Sequence, residues 1–119
     1  MKHCICLLED DKDIREIVGW ILRNNGFDVM AFENVSDFES GIRDTRPDLF
    51  ILDIMLPDGN GVEVCKALKM DSRTHQIPVL LMSANASPEV LRGSMAEDYI
   101  AKPFDIDHFV NKVSQQVSL

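Results

Sequence analysis

Six residues with chemically capable side chains follow directly on short apolar runs. Glu9, Asp10 and Asp11 come after Cys4 to Leu8, Asp53 after Leu49 to Leu52, Ser83 after Val79 to Met82, and Lys102 after Tyr99 to Ala101. Each has a bland role when taken alone, since an acid after a strand caps a helix or makes a turn. Together they suggest more. Two unit charges about 4 Å apart repel by roughly 4 kcal/mol at an effective dielectric near 20. Glu9, Asp10 and Asp53 can therefore share one place only with a cation among them. Mg²⁺ or Mn²⁺ suits, because a hard divalent ion takes a few carboxylate oxygens and keeps water and phosphate oxygens as its other ligands. A lysine ammonium and a hydroxyl, Lys102 and Ser83, are what the equatorial oxygens of a phosphoryl group then need. Asp53 is the candidate nucleophile, kept ionised by the cation and Lys102. No His, Cys or Ser with a base partner falls on these positions, so ester or peptide hydrolysis has no support.

Whether these groups meet depends on the elements between them. Apolar runs alternate with helical periodicity, the pattern of a parallel sheet with crossover helices. Cys4 to Leu8 is the first strand, and Ile14, Ile17, Val18, Ile21 and Leu22 mark one helix face between Asp11 and Asn25-Gly26. Phe27 to Ala31 is a second strand near an edge. Ser36 with Glu39 forms a capping-box candidate for a second helix. Leu49 to Leu52 is the third strand, and Gly59 and Gly61 in the following turn suggest positive φ. Val64, Cys65, Ala67 and Leu68 line a third helix, and Pro78 precedes the fourth strand. A short fourth helix runs from Pro88 to about Met95, ahead of the fifth strand. Asp105 caps a last helix with Ile106, Phe109, Val110, Val113 and Val117 on its face. The fold class is α/β, a doubly wound, open five-stranded parallel sheet. Ligands in such sheets sit outside the carboxyl ends of the strands, where all six residues lie.

Composition narrows the field further. A length of 119 residues suits one domain over 1–119. Twelve basic against twenty acidic side chains give a formal charge of −8, which repels phosphate backbones and argues against direct nucleic-acid binding. No apolar stretch is long enough for a signal peptide or a membrane span. Three cysteines make no disulfide framework, so the expectation is cytoplasmic. Cys4 and Cys6 point the same way on a strand but lack the further ligands of a zinc site, and read as packing. His3, His75 and His108 do not cluster. Trp20 reads as partly buried packing, and the six methionines as core filling.

Four stretches then occur in a telling order: Leu8-Glu9-Asp10-Asp11; Asp53-Ile54-Met55-Leu56-Pro57 with Gly59 and Gly61; Leu81-Met82-Ser83-Ala84; and Tyr99-Ile100-Ala101-Lys102-Pro103-Phe104. In this order they resemble the receiver domains of two-component response regulators, across essentially the whole chain. The resemblance implies a flavodoxin-like (βα)5 fold. It implies that Asp53 accepts a phosphoryl group from a sensor histidine kinase or histidine phosphotransfer protein and that the chain then signals to a downstream effector. By the same resemblance Asp10, Asp53 and the Met55 carbonyl bind Mg²⁺, with Glu9 acting through water, and Lys102 pairs with the phosphoryl group. The resemblance further implies that Ser83 moves toward it and Tyr99 swings inward, that Lys102-Pro103 is a cis peptide, and that Met55 and Asn85 tune phosphoryl lifetime.

One departure from that pattern concerns the output side. Only eighteen residues, Ala84 to Ala101, separate Ser83 from Lys102, about one helical turn (roughly 3.6 residues) fewer than the family leads one to expect. Met95-Ala96-Glu97 stands where a glycine is usual, so the fourth helix should be short or irregular. That shortening motivates an alternative, a phosphorylation-independent interaction module. A hydrolase working through an aspartyl-phosphate would want a second Asp where Met55 stands, as proton donor. A flavin site would place its phosphate against Glu9-Asp10-Asp11, which would repel it. The reading that remains is a phospho-accepting switch, not an enzyme turning over a separate substrate.

Overall fold

The computed structural model describes residues 2–84 and 88–117. Strands β1 (Cys4–Leu8), β2 (Asp28–Phe32), β3 (Leu49–Asp53), β4 (Val79–Ser83) and β5 (Asp98–Ala101) form one parallel sheet in the order β2-β1-β3-β4-β5. Between and after them run α1 (Lys12–Asn24), α2 (Val35–Gly41), α3 (Gly61–Met70), α4 (Pro88–Gly93) and α5 (Ile106–Val117). The strand order reverses beside β1, which opens a crevice at the carboxyl ends of β1 and β3.

Side-chain alternation along the strands divides the core in two. Ile5 and Leu7 join Val18, Ile21 and Leu22 of α1 and Phe109 and Val113 of α5. Cys6 and Leu8 point to the other face and meet Phe38 of α2 and Cys65 and Leu68 of α3. Every residue of β3 and β4 is buried, so these strands read as continuous apolar runs, whereas edge strand β2 does not. The second strand sits one residue later than its hydrophobic pattern suggests.

Caps follow the sequence in part. Asp11 caps α1, its Oδ1 accepting from Ile14 N at 3.1 Å, and Gly26 leaves that helix at φ 88°. Asp105 likewise accepts from His108 N at 3.1 Å ahead of α5. Ser36 does not cap α2. Asn34 does, accepting from Asp37 N at 2.8 Å, because the helix already begins at Val35. The amides of Val35 and Ser36 donate instead to Asp58 Oδ1 and Oδ2 at 2.8 and 3.1 Å, a partner twenty-odd residues away that no local pattern reveals.

The turn after β3 is a small antiparallel hairpin, Met55–Leu56 with Gly59–Asn60. Neither Gly59 nor Gly61 takes positive φ there; among the described glycines Gly26 does. Gly61 is required by crowding, since a Cβ on it would stand 2.1 Å from the Asp53 carbonyl oxygen and 2.8 Å from the carbonyl carbon.

Helix α4 is short, six residues, and ends at Gly93, before Met95. Met95 itself adopts φ 69°, a left-handed conformation that side chains other than glycine disfavour, at the place where the expected glycine is missing. Glu97 fixes the chain just beyond. Its N donates to Val79 O at 3.0 Å, its Oε1 accepts from Val79 N at 2.7 Å, and its Oε2 accepts from Lys69 Nζ at 2.7 Å.

Several side chains read as packing face solvent. Trp20 is 64% exposed and Ile17 60%. At about 100° per residue Trp20 turns away from the stripe centred on Ile14, Val18 and Ile21, and Ile17 lies at its margin. Ile106 and Ala67 are also exposed. Of the methionines, Met82 is buried and Met30 half-buried, but Met55, Met70 and Met95 are exposed; Met1 lies outside the described residues.

Gly61→Ala should lower stability by about 1–3 kcal/mol, because the added carbon meets backbone that cannot step aside. Chemical denaturation would measure this, and an unchanged midpoint would contradict the crowding argument.

Candidate functional site

Strand register decides which side chains meet. Leu8 pairs with Leu52, so Glu9 leaves β1 level with Asp53, and Asp53 pairs with Met82. Ser83 pairs with Ala101, and Lys102 N donates to Ser83 O at 2.8 Å. The ends of four strands thus deliver Glu9, Asp10, Asp53, Ser83 and Lys102 to one rim.

Glu9 is fully buried, although it is an acid. Its carboxylate is held at both oxygens: Oε1 accepts from Lys102 Nζ at 2.5 Å and Oε2 from Asp11 N at 3.1 Å. Lys102 Nζ also stands 3.4 Å from Asp53 Oδ1. Asp53 is buried, while Asp10 is exposed to solvent. One oxygen from each of Glu9, Asp10 and Asp53 lies within 4.8 Å of the others. Ser83 is nearly buried on the same rim. Met55 follows two residues after Asp53, and its side chain is exposed. Lys102-Pro103 is cis. Tyr99, on edge strand β5, is 46% exposed. Asn85 lies outside the described residues.

The electrostatics are those of an incompletely neutralised acid cluster. Burial pushes the Glu9 carboxyl up from 4.5 to about 7, and the nearby Asp53 charge adds to the rise, while bonds from Lys102 and the Asp11 amide oppose it. Burial also works against the Lys102 ammonium. Glu9 and Asp53 outweigh that, and its pKa is raised, so the lysine stays charged. Three grouped acids, with one ammonium shared by two of them, leave a deficit of positive charge that a divalent cation fits. Both oxygens of Glu9 are already engaged, so Asp10 and Asp53 are the acids better placed to touch such an ion. Elsewhere, burial raises the Cys6 thiol to about 12 and the Cys65 thiol to about 11, which makes both unreactive near neutrality.

Two positioning groups escape a sequence reading. Arg15 Nη1 donates to the backbone carbonyls of Glu9 at 3.0 Å and Asp10 at 3.2 Å, and Nη2 lies 4.0 Å from Glu33 Oε2. Asp58 ties the loop that carries Met55 to the start of α2. Arg15 had a faint signal, since a long side chain in a first helical turn leans back over the preceding loop. Asp58 had none.

A parallel sheet of this order with these acids, hydroxyl and lysine at its carboxyl edge is the arrangement of a receiver. The chain belongs to the response regulator receiver domain family, whose sequence profile matches residues 5–114. Phosphate regulon transcriptional regulatory protein PhoB of Escherichia coli K12 is 37% identical over 116 residues, covering 95% of this chain and 51% of PhoB. The chain therefore spans about half the length of that relative. The fold superposes with a TM-score of 0.88 on the non-phosphorylated HemR receiver domain from Leptospira biflexa, at 30% identity over 99% of this chain and 96% of the other. It superposes at 0.91 on the receiver domain of sensor histidine kinase PA1611 from Pseudomonas aeruginosa, at 20% identity over 100% of both chains; that structure has a magnesium ion coordinated in its active-site cleft. The flavodoxin-like fold expected from the sequence is thus the one observed.

The raised Glu9 pKa sets a pH dependence. Below 4.5 the carboxyl is protonated in folded and unfolded chains alike, and between 4.5 and about 7 the folded chain holds the proton longer. Stability contributed at Glu9 is therefore lost as pH rises through that window. Thermal melts in chelator should show this decline, and saturating Mg²⁺ should reverse most of it at the upper end. A flat metal-free profile would contradict the electrostatic account.

Proposed function

We propose that this chain accepts a phosphoryl group on Asp53 from the phosphohistidine of a sensor histidine kinase or a histidine phosphotransfer protein, and that the modification changes the surface offered to a downstream effector. The observation that carries the reading is the meeting of Glu9, Asp10 and Asp53 with Lys102 on one rim.

Asp10, Asp53 and the Met55 carbonyl would hold Mg²⁺ or Mn²⁺, with Glu9 reached through water; the ion supplies positive charge for the phosphoryl oxygens and lowers the repulsion met by an anionic donor. An oxygen of Asp53 attacks phosphorus as the bond from phosphorus to the donor nitrogen breaks, and the imidazole leaves. Lys102, already 3.4 Å from Asp53 Oδ1, can turn its ammonium to a phosphoryl oxygen without a large excursion. The Ser83 hydroxyl supplies a second donor. Movement of Ser83 toward the phosphoryl group opens room beside β4, and Tyr99, now partly in solvent, turns inward to fill it. The phosphoryl group ends as an acyl phosphate, a mixed anhydride, on the chain itself, so no separate substrate is turned over. The reading sets the chain in the cytoplasm, in keeping with cysteines that are free. It assigns no direct contact to nucleic acid, in keeping with the charge of −8.

Incubation with Mg²⁺ and a small-molecule acyl phosphate, followed by intact-mass measurement, should add one phosphoryl group to the native chain and none to Asp53→Asn. A folded chain that gains no mass, or gains it equally in the variant, would defeat the proposal. In the same reading a beryllofluoride adduct should reduce the solvent exposure of Tyr99, followed by quenching of tyrosine signals in a Trp20→Phe background. Unchanged exposure would remove Tyr99 from the switch.

A further inference from the structure

Arg15 lies on α1 just after the acid loop, and its guanidinium donates to the backbone of that loop. Nη1 bridges two successive carbonyl oxygens, those of Glu9 and Asp10, at 3.0 and 3.2 Å. Nη2 reaches Glu33 at 4.0 Å, just after β2, and Phe32 at the end of β2 accepts from Glu9 N at 3.0 Å. The guanidinium side chain is only 19% exposed. Glu9 is thereby held at its carbonyl by Arg15 and at its own N–H by the end of β2. Asp11 contributes a third hold: its amide binds Glu9 Oε2 and its carboxylate caps α1.

We infer that Arg15 is a positioning residue for the cation site: by fixing the two carbonyls behind Glu9 and Asp10, it presets the direction in which their carboxylates leave the backbone. The inference rests on the metal reading given above. A planar fork with fixed donors suits two adjacent carbonyls better than a single ammonium does. Ordering Asp10 matters most, because it is the exposed acid of the three and has the most freedom to lose when it takes a ligand role.

Simple electrostatics and positioning predict opposite signs. Removing a positive charge near an acid cluster should tighten binding of a divalent cation, whereas removing the fork that orients the acids should weaken it. Calorimetric titration of the full chain with MgCl2 separates them, with thermal melts in chelator to verify folding. Arg15→Met should bind Mg²⁺ about tenfold more weakly, the scale seen when groups that orient metal ligands are lost. Arg23→Met, at the far end of α1, removes the same charge and should bind as the native chain does. Arg15→Lys should fall between. Phosphorylation of Arg15→Met should need more Mg²⁺ for half-maximal extent but reach the native plateau, a split that a merely structural role would not produce.

Unchanged or tighter Mg²⁺ binding by folded Arg15→Met overturns the inference. If Arg15→Met does not fold, Arg15→Lys decides alone: weaker binding supports the fork, and equal binding overturns it. A native chain that binds no Mg²⁺ overturns the metal reading itself and this inference with it, so the two failures are distinguishable.

Discussion

Three acids gathered at one rim, two of them sharing a single ammonium, form the constraint on which the rest of the structure depends. A buried Glu9 is costly, and its partner Lys102 is shared with Asp53. Neutralisation is therefore incomplete by construction. A site of this kind is held together by the fold around it, against the tension among its own charges. Strand register sets Glu9 beside Asp53, and the hydrogen bond from Lys102 N to Ser83 O brings in the lysine and the hydroxyl. The loops that finish the site are tied from outside, by Arg15 behind the acids and Asp58 behind the hairpin that bears Met55. Gly61 permits the close passage of chain behind Asp53.

The opposite side of the site is built differently. Helix α4 is reduced to six residues, and the chain leading into β5 takes a left-handed turn at Met95 before Glu97 clips it to Val79 and to Lys69 of α3. Lys69 is almost fully buried and also donates to Ile77 O at 2.9 Å, so the lysine end of this clip is sheltered from solvent. Downstream of it lie Tyr99 and Lys102, the two residues of β5 and its end that the proposed switch uses. Asp98 is anchored as well, to Lys112 of α5 at 2.9 Å. The entry to β5 is therefore fixed by side chains from α3 and α5.

Much of this was legible in the sequence, for identifiable reasons. Buried parallel strands are written as unbroken apolar runs, and the residue after each run falls on the ligand-binding edge, which is why Glu9, Asp53, Ser83 and Lys102 could be gathered before any coordinates. Local caps such as Asp11 were equally visible. What failed to show was long-range or steric. Asp58 reaches α2 across the fold, and its role displaced the reading of Ser36 as a cap. Gly61 answers to crowding by the Asp53 carbonyl and not to φ, a distinction that composition cannot make. Trp20 and the exposed methionines were misread because apolar character alone does not fix which side of a helix or loop meets the core; Trp20 sits outside the stripe that its neighbours define. The cis bond at Lys102-Pro103 was legible only through the family resemblance.

The central claim is that the acid cluster is a cation site placed for phosphoryl chemistry. Its most direct test is anomalous diffraction from crystals of the native chain grown with Mn²⁺. The account predicts one strong peak bounded by carboxylate oxygens of Asp10 and Asp53 and the Met55 carbonyl oxygen, with Glu9 Oε1 and Oε2 outside direct contact. A well-ordered crystal with no peak on that rim, or a peak bound directly by Glu9 and not by Asp53, would contradict it.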